Sequence, residues 1–246
     1  MHARNLFGAK QNMKSMDQEA RRRVLLSSPL FDALPREALD DILARAGDKF
    51  VRRGQTIFLK GDEGSYMVAV LSGRMRISAT SPEGREITLN MIDAGEVFGE
   101  MALLDGKTRS ADATALEDSQ LLLVERRDFL PHLMSNLTLA LRLIDVLCAR
   151  LRDTSETLGN FAMLDLPGRL SRRLLTLAAE YGHFVDGQIR LNIRLSHTDL
   201  GRFVGSSRES VNKQMRAWEE DGIVARADSR IALCKPDALR RIAGQD

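Results

Sequence analysis

The residue types that could do chemistry in this chain are concentrated in one short stretch, Phe98–Ala111. Around a short apolar turn it places a glycine, a carboxylate, a guanidinium and a hydroxyl, at Gly99, Glu100, Arg109 and Ser110. Backbone N–H groups at the start of the turn, together with Arg109 and Ser110, are donors suited to a phosphate. Glu100 is only an acceptor, so it suits a sugar hydroxyl. An anion and a hydroxyl on one ligand describe a nucleotide, and the stretch therefore predicts a pocket for a small phosphate ester.

This stretch resembles the phosphate-binding cassette of cyclic-nucleotide-binding domains. The resemblance rests on the runs Phe98-Gly99-Glu100, Ala102-Leu103 and Arg109-Ser110-Ala111. From about Leu25 to near the C-terminus, the chain is similar to the cAMP receptor protein group of the CRP/FNR transcription regulators. The resemblance implies a homodimeric regulator that binds double-stranded DNA, has cAMP as its effector and has no catalytic residue. It also implies that the ligand contacts Gly99, Glu100, Met101, Ala102, Arg109 and Ser110.

A second stretch with chemistry begins at Ser196. Residues 196–200 open a short helix with a capping-box pattern, Gly205 breaks that helix, and Ser207 precedes the next one. A helix, a tight turn and a second helix led by polar residues form a helix-turn-helix. Its second helix offers an arginine, which can bond guanine O6 and N7, and a glutamate, which can accept from cytosine N4. The alternating residues 222–233, around Asp228-Ser229, predict a wing hairpin after it.

The resemblance assigns roles within this helix-turn-helix. It places Arg208, Glu209 and Lys213 at base-reading positions, and Ser196, Ser207 and Ser210 at phosphate-facing ones. An enteric member of the family has arginine where this chain has Lys213. Because lysine is a point donor and not a planar fork, we expect TGTGA-like half-sites with looser readout at that position. His197 follows the cap serine, where it either contacts backbone phosphate or is exposed and idle.

The residues between these stretches predict a long helix with an apolar seam. From a start at Asn136, its apolar positions recur in steps of four and three. The seam positions are Leu137, Leu141, Ile144, Cys148, Leu151, Ser155, Leu158 and Ala162. Such a seam predicts a homodimer through residues 137–162, and the alternative is a helix packed on its own domain.

Ser155 is a polar residue on this seam, where it costs stability unless a partner such as a ligand's base edge satisfies it. The family resemblance implies that Thr154 and Ser155 touch the adenine, one from each subunit. It places Arg150 near the phosphate and the cassette glutamate. The alternative for Arg150 is an exposed charge on the helix.

The remaining elements must position these residues. Closely spaced glycines and short apolar runs across residues 49–125 predict strands of a β-roll or jelly roll. The predicted fold class is α+β, with this roll, a long dimerisation helix and a C-terminal winged helix-turn-helix. The predicted domains are an N-terminal arm at 1–23, a cyclic-nucleotide-binding domain at 24–134, the dimerisation helix at 135–164 and the DNA-binding domain at 165–246.

Composition restricts the classes of function. The formal net charge is only +2, so nucleic-acid contact must come from a local basic patch. The two cysteines form no CxxC and the four histidines are scattered, so no metal site is expected. No apolar run approaches a membrane span and the N-terminus has no signal-peptide core, so we expect a cytoplasmic protein without a membrane partner. Residues 1–23 are interpreted as a partly disordered arm running into a helix, with extra nucleic-acid contact as the alternative.

Several readings with the same fold stay open. The regulator could respond to cGMP or another signal, or bind DNA without an effector. An iron–sulfur sensor is disfavoured because no cysteine cluster is present, and haem because no histidine falls in the roll. An enzyme is rejected because no base, nucleophile and orienting group stand together. A kinase regulatory subunit is disfavoured by the DNA-reading motif. RNA polymerase is an expected partner if the protein is an activator.

Overall fold

The structure is a computed structural model, and it describes residues 16–227 and 230–245 of the chain, without the side chain of Ala227. The described residues fall into two compact units. The first comprises residues up to 76 together with 91–144, and the second comprises 77–90 together with 145 onwards. The chain therefore leaves the first unit at a β-hairpin, returns to it, and leaves again within a long helix.

The secondary structure follows the order that the sequence predicts. The N-terminal part holds α1 (Gln18–Leu26), α2 (Arg36–Arg45), β1 (Gly47–Val51), β2 (Thr56–Phe58), β3 (Tyr66–Ser72), β4 (Arg74–Thr80), β5 (Glu86–Asp93), β6 (Val97–Phe98), α3 (Glu100–Asp105), β7 (Asp112–Ala115), β8 (Ser119–Glu125) and α4 (Arg126–Ser135). The long helix α5 (Leu137–Met163) comes next. The C-terminal part holds α6 (Leu166–Tyr181), β9 (Gly182–Val185), β10 (Gln188–Leu191), α7 (His197–Val204), α8 (Arg208–Glu220), β11 (Val224–Ala227), β12 (Arg230–Leu233) and α9 (Pro236–Ile242).

The predicted roll is present as two four-stranded sheets, with strand orders β1-β8-β3-β6 and β2-β7-β4-β5. In the first sheet β8 pairs antiparallel with both β1 and β3. Helices α1, α2 and α4 and the first turns of α5 pack on this sheet, through a core that includes Phe31, Met67, Leu122, Phe129, Leu139 and Leu143. These sheets and helices confirm the predicted α+β fold class.

Three strands of the roll escape the sequence prediction. β1 carries polar residues at an edge position, and β6 has only two residues, so neither shows a clear apolar alternation. β7, with the sequence DATA, is built from small residues that are largely buried. Two separate helices, α4 and α5, follow the last strand of the roll, because the chain breaks at Asn136 between them. The Asn136 side chain accepts a hydrogen bond from the Leu139 N–H at 3.1 Å, which confirms the predicted start of the long helix.

In the second unit, the break after α5 is set by local chemistry. Asp165 caps α6 by accepting from the Gly168 N–H at 2.9 Å, and Pro167 occupies an early helical position. A hairpin with its turn at Asp186-Gly187 joins β9 and β10. A third sheet has the order β11-β12-β10-β9, and it confirms the wing strands. The predicted turn residues Asp228 and Ser229 lie outside the described residues, as do most of residues 1–23.

The turn between α7 and α8 depends on Gly205. Its φ of 60° lies in the left-handed region, and a Cβ there would lie 2.6 Å from a ring carbon of Phe161. Glycine is therefore needed both to end α7 and to admit the aromatic ring from the last turns of α5. The end of the long helix thus packs directly on the turn of the helix-turn-helix.

Among the described residues no single helix is long and apolar enough to span a membrane, although α4 and α5, bent by 112° at Asn136, meet that test of length and composition as a pair. The same residues contain no cluster of three His, Cys, Asp or Glu side chains that could hold a metal ion.

Candidate functional site

The cassette forms where β6 ends and the short helix α3 begins. Gly99 occupies the N-cap position with φ of 78°, in the left-handed region. A Cβ on Gly99 would lie 2.5 Å from Nη1 of Arg109. Glycine is required here both for the turn and for the close approach of the guanidinium.

Arg109 is the best-fixed side chain of the cassette, with only 2% of its surface exposed. Its Nη1 donates to the Gly99 carbonyl at 2.9 Å, and its Nη2 donates to the Tyr66 carbonyl at 2.7 Å. The guanidinium also stacks on the rings of Phe58 and Tyr66, at 4.1 and 4.5 Å from their centroids. These contacts hold one rotamer in place before any ligand binds.

The electrostatic environment of Arg109 favours an anion. Burial lowers the pKa of its guanidinium, an effect that Tyr66, Glu100 and Asp62 partly offset. The group stays charged, because an arginine pKa is far above neutrality even after such a shift. A guanidinium has more N–H donors than its two bonds to carbonyls use, and Nε makes no hydrogen bond to any described residue. Arg109 therefore keeps donors for an oxyanion.

The other predicted cassette residues lie near Arg109 in the sequence and differ in how exposed they are. The Glu100 side chain is 2% exposed and lies in the first turn of α3, and Ala102 is buried beneath it. Ser110 is exposed, with its hydroxyl 3.8 Å from the sulfur of Met101, itself 51% exposed. The cassette thus presents a buried carboxylate and guanidinium beside an exposed hydroxyl and thioether.

The predicted base-contacting residues lie on α5 in the second unit. Thr154 donates its hydroxyl proton to the Arg150 carbonyl, and Ser155 donates to the Leu151 carbonyl, each at 2.8 Å. Both residues are exposed and Arg150 is half-buried. The partner that the Ser155 hydroxyl was expected to need is the Leu151 carbonyl of its own helix, so its hydrogen bonding requires no ligand. The hydroxyl oxygens retain lone pairs and are therefore available as acceptors.

The seam of α5 is exposed to solvent on the described chain. All eight predicted seam residues are exposed, including Leu137 at 75%, Leu151 at 67% and Leu158 at 70%. Leu139 and Leu143, on another face, are buried in the core of the first unit. The alternative that the seam packs on its own domain is thus wrong for this face, which forms a continuous apolar stripe.

The helix-turn-helix has the predicted local geometry. Ser196 and Asp199 form a capping box at α7, and Ser207 caps α8 by accepting from the Ser210 N–H at 3.1 Å. Ser210 also shares a 3.1 Å hydroxyl hydrogen bond with Ser207. The base-reading candidates Arg208, Glu209 and Lys213 are exposed, while the core face buries Val211, Met215 and Trp218. The base-reading candidates and the core residues therefore occupy separate faces of α8.

His197 has a partner that the sequence did not indicate. Nη1 of Arg226, on β11, hydrogen-bonds to Nε2 of His197, and Nη2 of Arg226 donates to the Leu195 carbonyl at 3.0 Å. Burial lowers the pKa of His197, and the charges of Arg226, Arg208 and Arg216 lower it further. A neutral His197 accepting from Arg226 joins the wing to the start of α7, so the histidine is not idle. Its separation of 29 residues from Arg226 hides this pair from sequence reasoning.

Fold and sites together define a class: a DNA-binding regulator that carries a nucleotide-binding β-roll. Two family descriptions match the chain, "Cyclic nucleotide-binding domain" over residues 48–136 and "Crp-like helix-turn-helix domain" over residues 168–242. The cyclic AMP receptor protein of Thermus thermophilus is 34% identical over 216 residues, covering 88% of this chain and 97% of the relative. The chain belongs to the CRP/FNR family of transcription regulators.

A further relative agrees with this assignment, and a solved structure shares the fold. A CRP-like cAMP-activated global transcriptional regulator of Mycobacterium tuberculosis is 28% identical over 191 residues, which cover 78% of this chain and 85% of the relative. The solved structure of the c-di-GMP responsive global regulator CLP from Xanthomonas campestris shares the fold, with a TM-score of 0.70 at 24% identity over 81% of this chain and 99% of that one. Relatives with this fold therefore differ in the nucleotide to which they respond.

Proposed function

We propose that this regulator is a homodimer, that cAMP is its allosteric effector, and that it recognises DNA half-sites resembling TGTGA. The observation that carries the proposal is the buried Arg109 guanidinium, held by two backbone carbonyls and two aromatic rings while it keeps unused donors. Such a preorganised cation binds the charged oxygens of a cyclic phosphate with little reorganisation. Ser110 would add a hydroxyl donor, and Glu100 would accept from the ribose 2′-hydroxyl.

The hydrogen bonds of α5 favour adenine over guanine. The hydroxyls of Thr154 and Ser155 donate hydrogen bonds to carbonyls of their own helix. Towards a ligand, these hydroxyls therefore act as acceptors. Adenine carries an amino donor at position 6, where guanine carries the acceptor O6. Acceptors on the helix therefore suit the 6-amino group of adenine, and cGMP is the alternative effector that the experiment below tests.

The exposed seam supports the dimer. A stripe that exposes five large apolar residues on the described part of α5 is typical of an interface and not of a monomer's surface. A parallel pairing of two such helices would bring Thr154 or Ser155 of each protomer to the ligand of the other. It would also set two α8 helices on one face, about 34 Å apart, for successive turns of the major groove.

In this proposal cAMP acts by binding one arrangement of the dimer better than the other, since a ligand shifts an equilibrium only through differential affinity. Arg208 would bond guanine, Glu209 would accept from cytosine, and Lys213 would donate from a single ammonium. Ser196, Ser207 and Ser210 would face phosphates. The protein would act on transcription without catalysing a reaction, and RNA polymerase would be its partner wherever it activates.

The test is fluorescence anisotropy with a labelled palindrome of TGTGA-type half-sites and a scrambled duplex, at one fixed salt concentration. The protein is titrated without nucleotide, with cAMP and with cGMP. We expect tight, specific binding only with cAMP, and loss of the cAMP response in Arg109→Lys, which keeps the charge but lacks the planar fork. The matched control is Arg127→Lys, at an arginine whose side chain is 84% exposed. Specific binding that ignores both nucleotides would refute the gating, and a response to cGMP alone would refute the adenine assignment.

A further inference from the structure

A small cleft lies within the second unit, apart from both sites described above. It has a volume of about 130 Å³ and is bounded by strand β5, the last turns of α5, helix α6 and the end of α7. Pockets for drug-sized ligands measure roughly 300–1,000 Å³. This cleft therefore has the size for several water molecules or for one compact ion.

Three arginines of α6 line the cleft, Arg169, Arg172 and Arg173. Arg169 donates to the carbonyls of Leu164 and Val204, at 2.7 and 3.0 Å. Arg172 donates to the Asn160 side-chain oxygen and to the Ala243 carbonyl. All these acceptors are neutral. Over residues 16–227 and 230–245, none of the three arginines has a carboxylate oxygen within 4.0 Å.

Arg173 is the most exceptional of the three. Its guanidinium stacks on Phe203 at 4.0 Å, yet it makes no hydrogen bond to the described part of the chain, and its Nε is fully buried. Burial lowers the pKa of this guanidinium, and the carboxylates of Glu180 and Asp153, together with Tyr181, only partly offset that effect. Arg173 as a whole is half-buried, and a partly desolvated cation without a close counter-ion is costly, so proteins normally pair such a group.

We propose that this cleft is a binding site for a small tetrahedral oxyanion such as phosphate, with Arg173 as its principal ligand. The anion would supply the counter-ion that the chain does not provide and would use the fork of donors that Arg173 leaves unused. The carboxylates of Asp153, Glu156 and Glu180 also line the cleft, but these residues are exposed, so water screens their charges. The site would thus combine the arginines of α6 with exposed, solvated carboxylates at its edge.

Such a site would report a second signal. The cleft is lined by Asn90 of β5, Asn160 of α5 and Val204 of α7. An anion bound to Arg173 would therefore lie next to both the long helix and the helix-turn-helix. Its lining residues are distinct from those proposed to contact the nucleotide, so its occupancy does not require a bound nucleotide. We therefore expect it to be measurable in the absence of any cyclic nucleotide.

The experiment is thermal unfolding of the full-length protein in inorganic phosphate, compared with sodium chloride at equal ionic strength. At a ten-fold excess over its Kd, phosphate should raise Tm by about 3–6 °C. Arg173→Gln should abolish this rise, and Arg173→Lys should weaken it. Arg241→Gln is the matched control, because Arg241 is an exposed arginine of the same unit. Isothermal titration with phosphate gives the Kd of each variant that far-UV circular dichroism shows to be folded.

The chloride arm separates an anion ligand from a packing residue. If Arg173 is an uncompensated half-buried cation, Arg173→Gln in chloride should have a Tm equal to or above the wild type. A lower Tm in chloride, with phosphate still raising Tm as in the wild type, would make Arg173 structural and overturn the proposal. The absence of a phosphate effect on the wild type, or its equal loss in Arg241→Gln, would overturn it as well. None of these outcomes depends on cAMP, so the proposed function is tested separately.

Discussion

Replacement of Leu151 by alanine tests the dimer proposal most directly. Leu151 lies in the middle of the α5 seam with 67% of its surface exposed on the described chain. Because most of this side chain is exposed on the described chain, the variant should fold as the wild type does. Its effect should fall on association alone.

The expected magnitude follows from this exposed fraction. Truncating a fully buried leucine to alanine costs about 2–5 kcal/mol. If association buries the exposed 67% of Leu151, each protomer loses about 1.3–3.4 kcal/mol. A two-fold dimer loses this twice, about 3–7 kcal/mol, which corresponds to a dimer Kd weaker by roughly 10²–10⁵-fold.

The measurement is sedimentation equilibrium across a wide range of protein concentration. Met163→Ala is the matched control, since Met163 lies on the same helix with 84% exposure but outside the seam. We expect this control to dimerise like the wild type. A dimer Kd that Leu151→Ala leaves within ten-fold of the wild type would refute the seam as the interface, and equal weakening by both variants would show a general effect of the helix surface.

Further predictions concern the cassette and the DNA-binding unit. Gly99→Ala should weaken cAMP binding at least ten-fold, because its Cβ would displace Arg109 from 2.5 Å, and unchanged affinity in a fluorescence titration would contradict this. Ser196→Ala should lower the free energy of unfolding by about 0.5–2 kcal/mol in a denaturant titration, as the loss of a helix cap does. Arg208→Ala should weaken binding to the specific site far more than to random DNA, whereas equal losses would mean contact with phosphate alone. The folded-state pKa of His197 lies below its unfolded value, so stability should fall as the pH drops through about 6.5, and His197→Gln should flatten that dependence in pH-dependent melts.

The sequence was most informative where local chemistry fixes local structure. The capping box at Ser196 and Asp199 and the start of α5 at Asn136 both follow from side chains that bond to nearby backbone. The exposed seam of α5 also follows, because helical periodicity determines which residues share a face. Gly99 was recognisable as a turn residue for the same reason.

What escaped prediction depends on contacts between residues far apart in the chain. No local pattern shows that Arg109 stacks between Phe58 and Tyr66, or that Arg226 reaches His197. The satisfaction of Ser155 within its own helix was missed for another reason. The seam argument treated the hydroxyl as needing an external partner, although a helical serine can donate to the carbonyl four residues earlier.

The hairpin formed by β4 and β5 has residues in both compact units. Its strands start and end in the first unit, but residues 77–90 group with the second, where Glu86 pairs with Arg202 of α7 at 2.7 Å. The boundary between the two units therefore does not fall at a single point in the sequence. A chimaera that takes its C-terminal module from another family member would separate Glu86 from the arginine that accompanies it. A chimaera should therefore be stable only if the hairpin and the helices of the second unit are exchanged together.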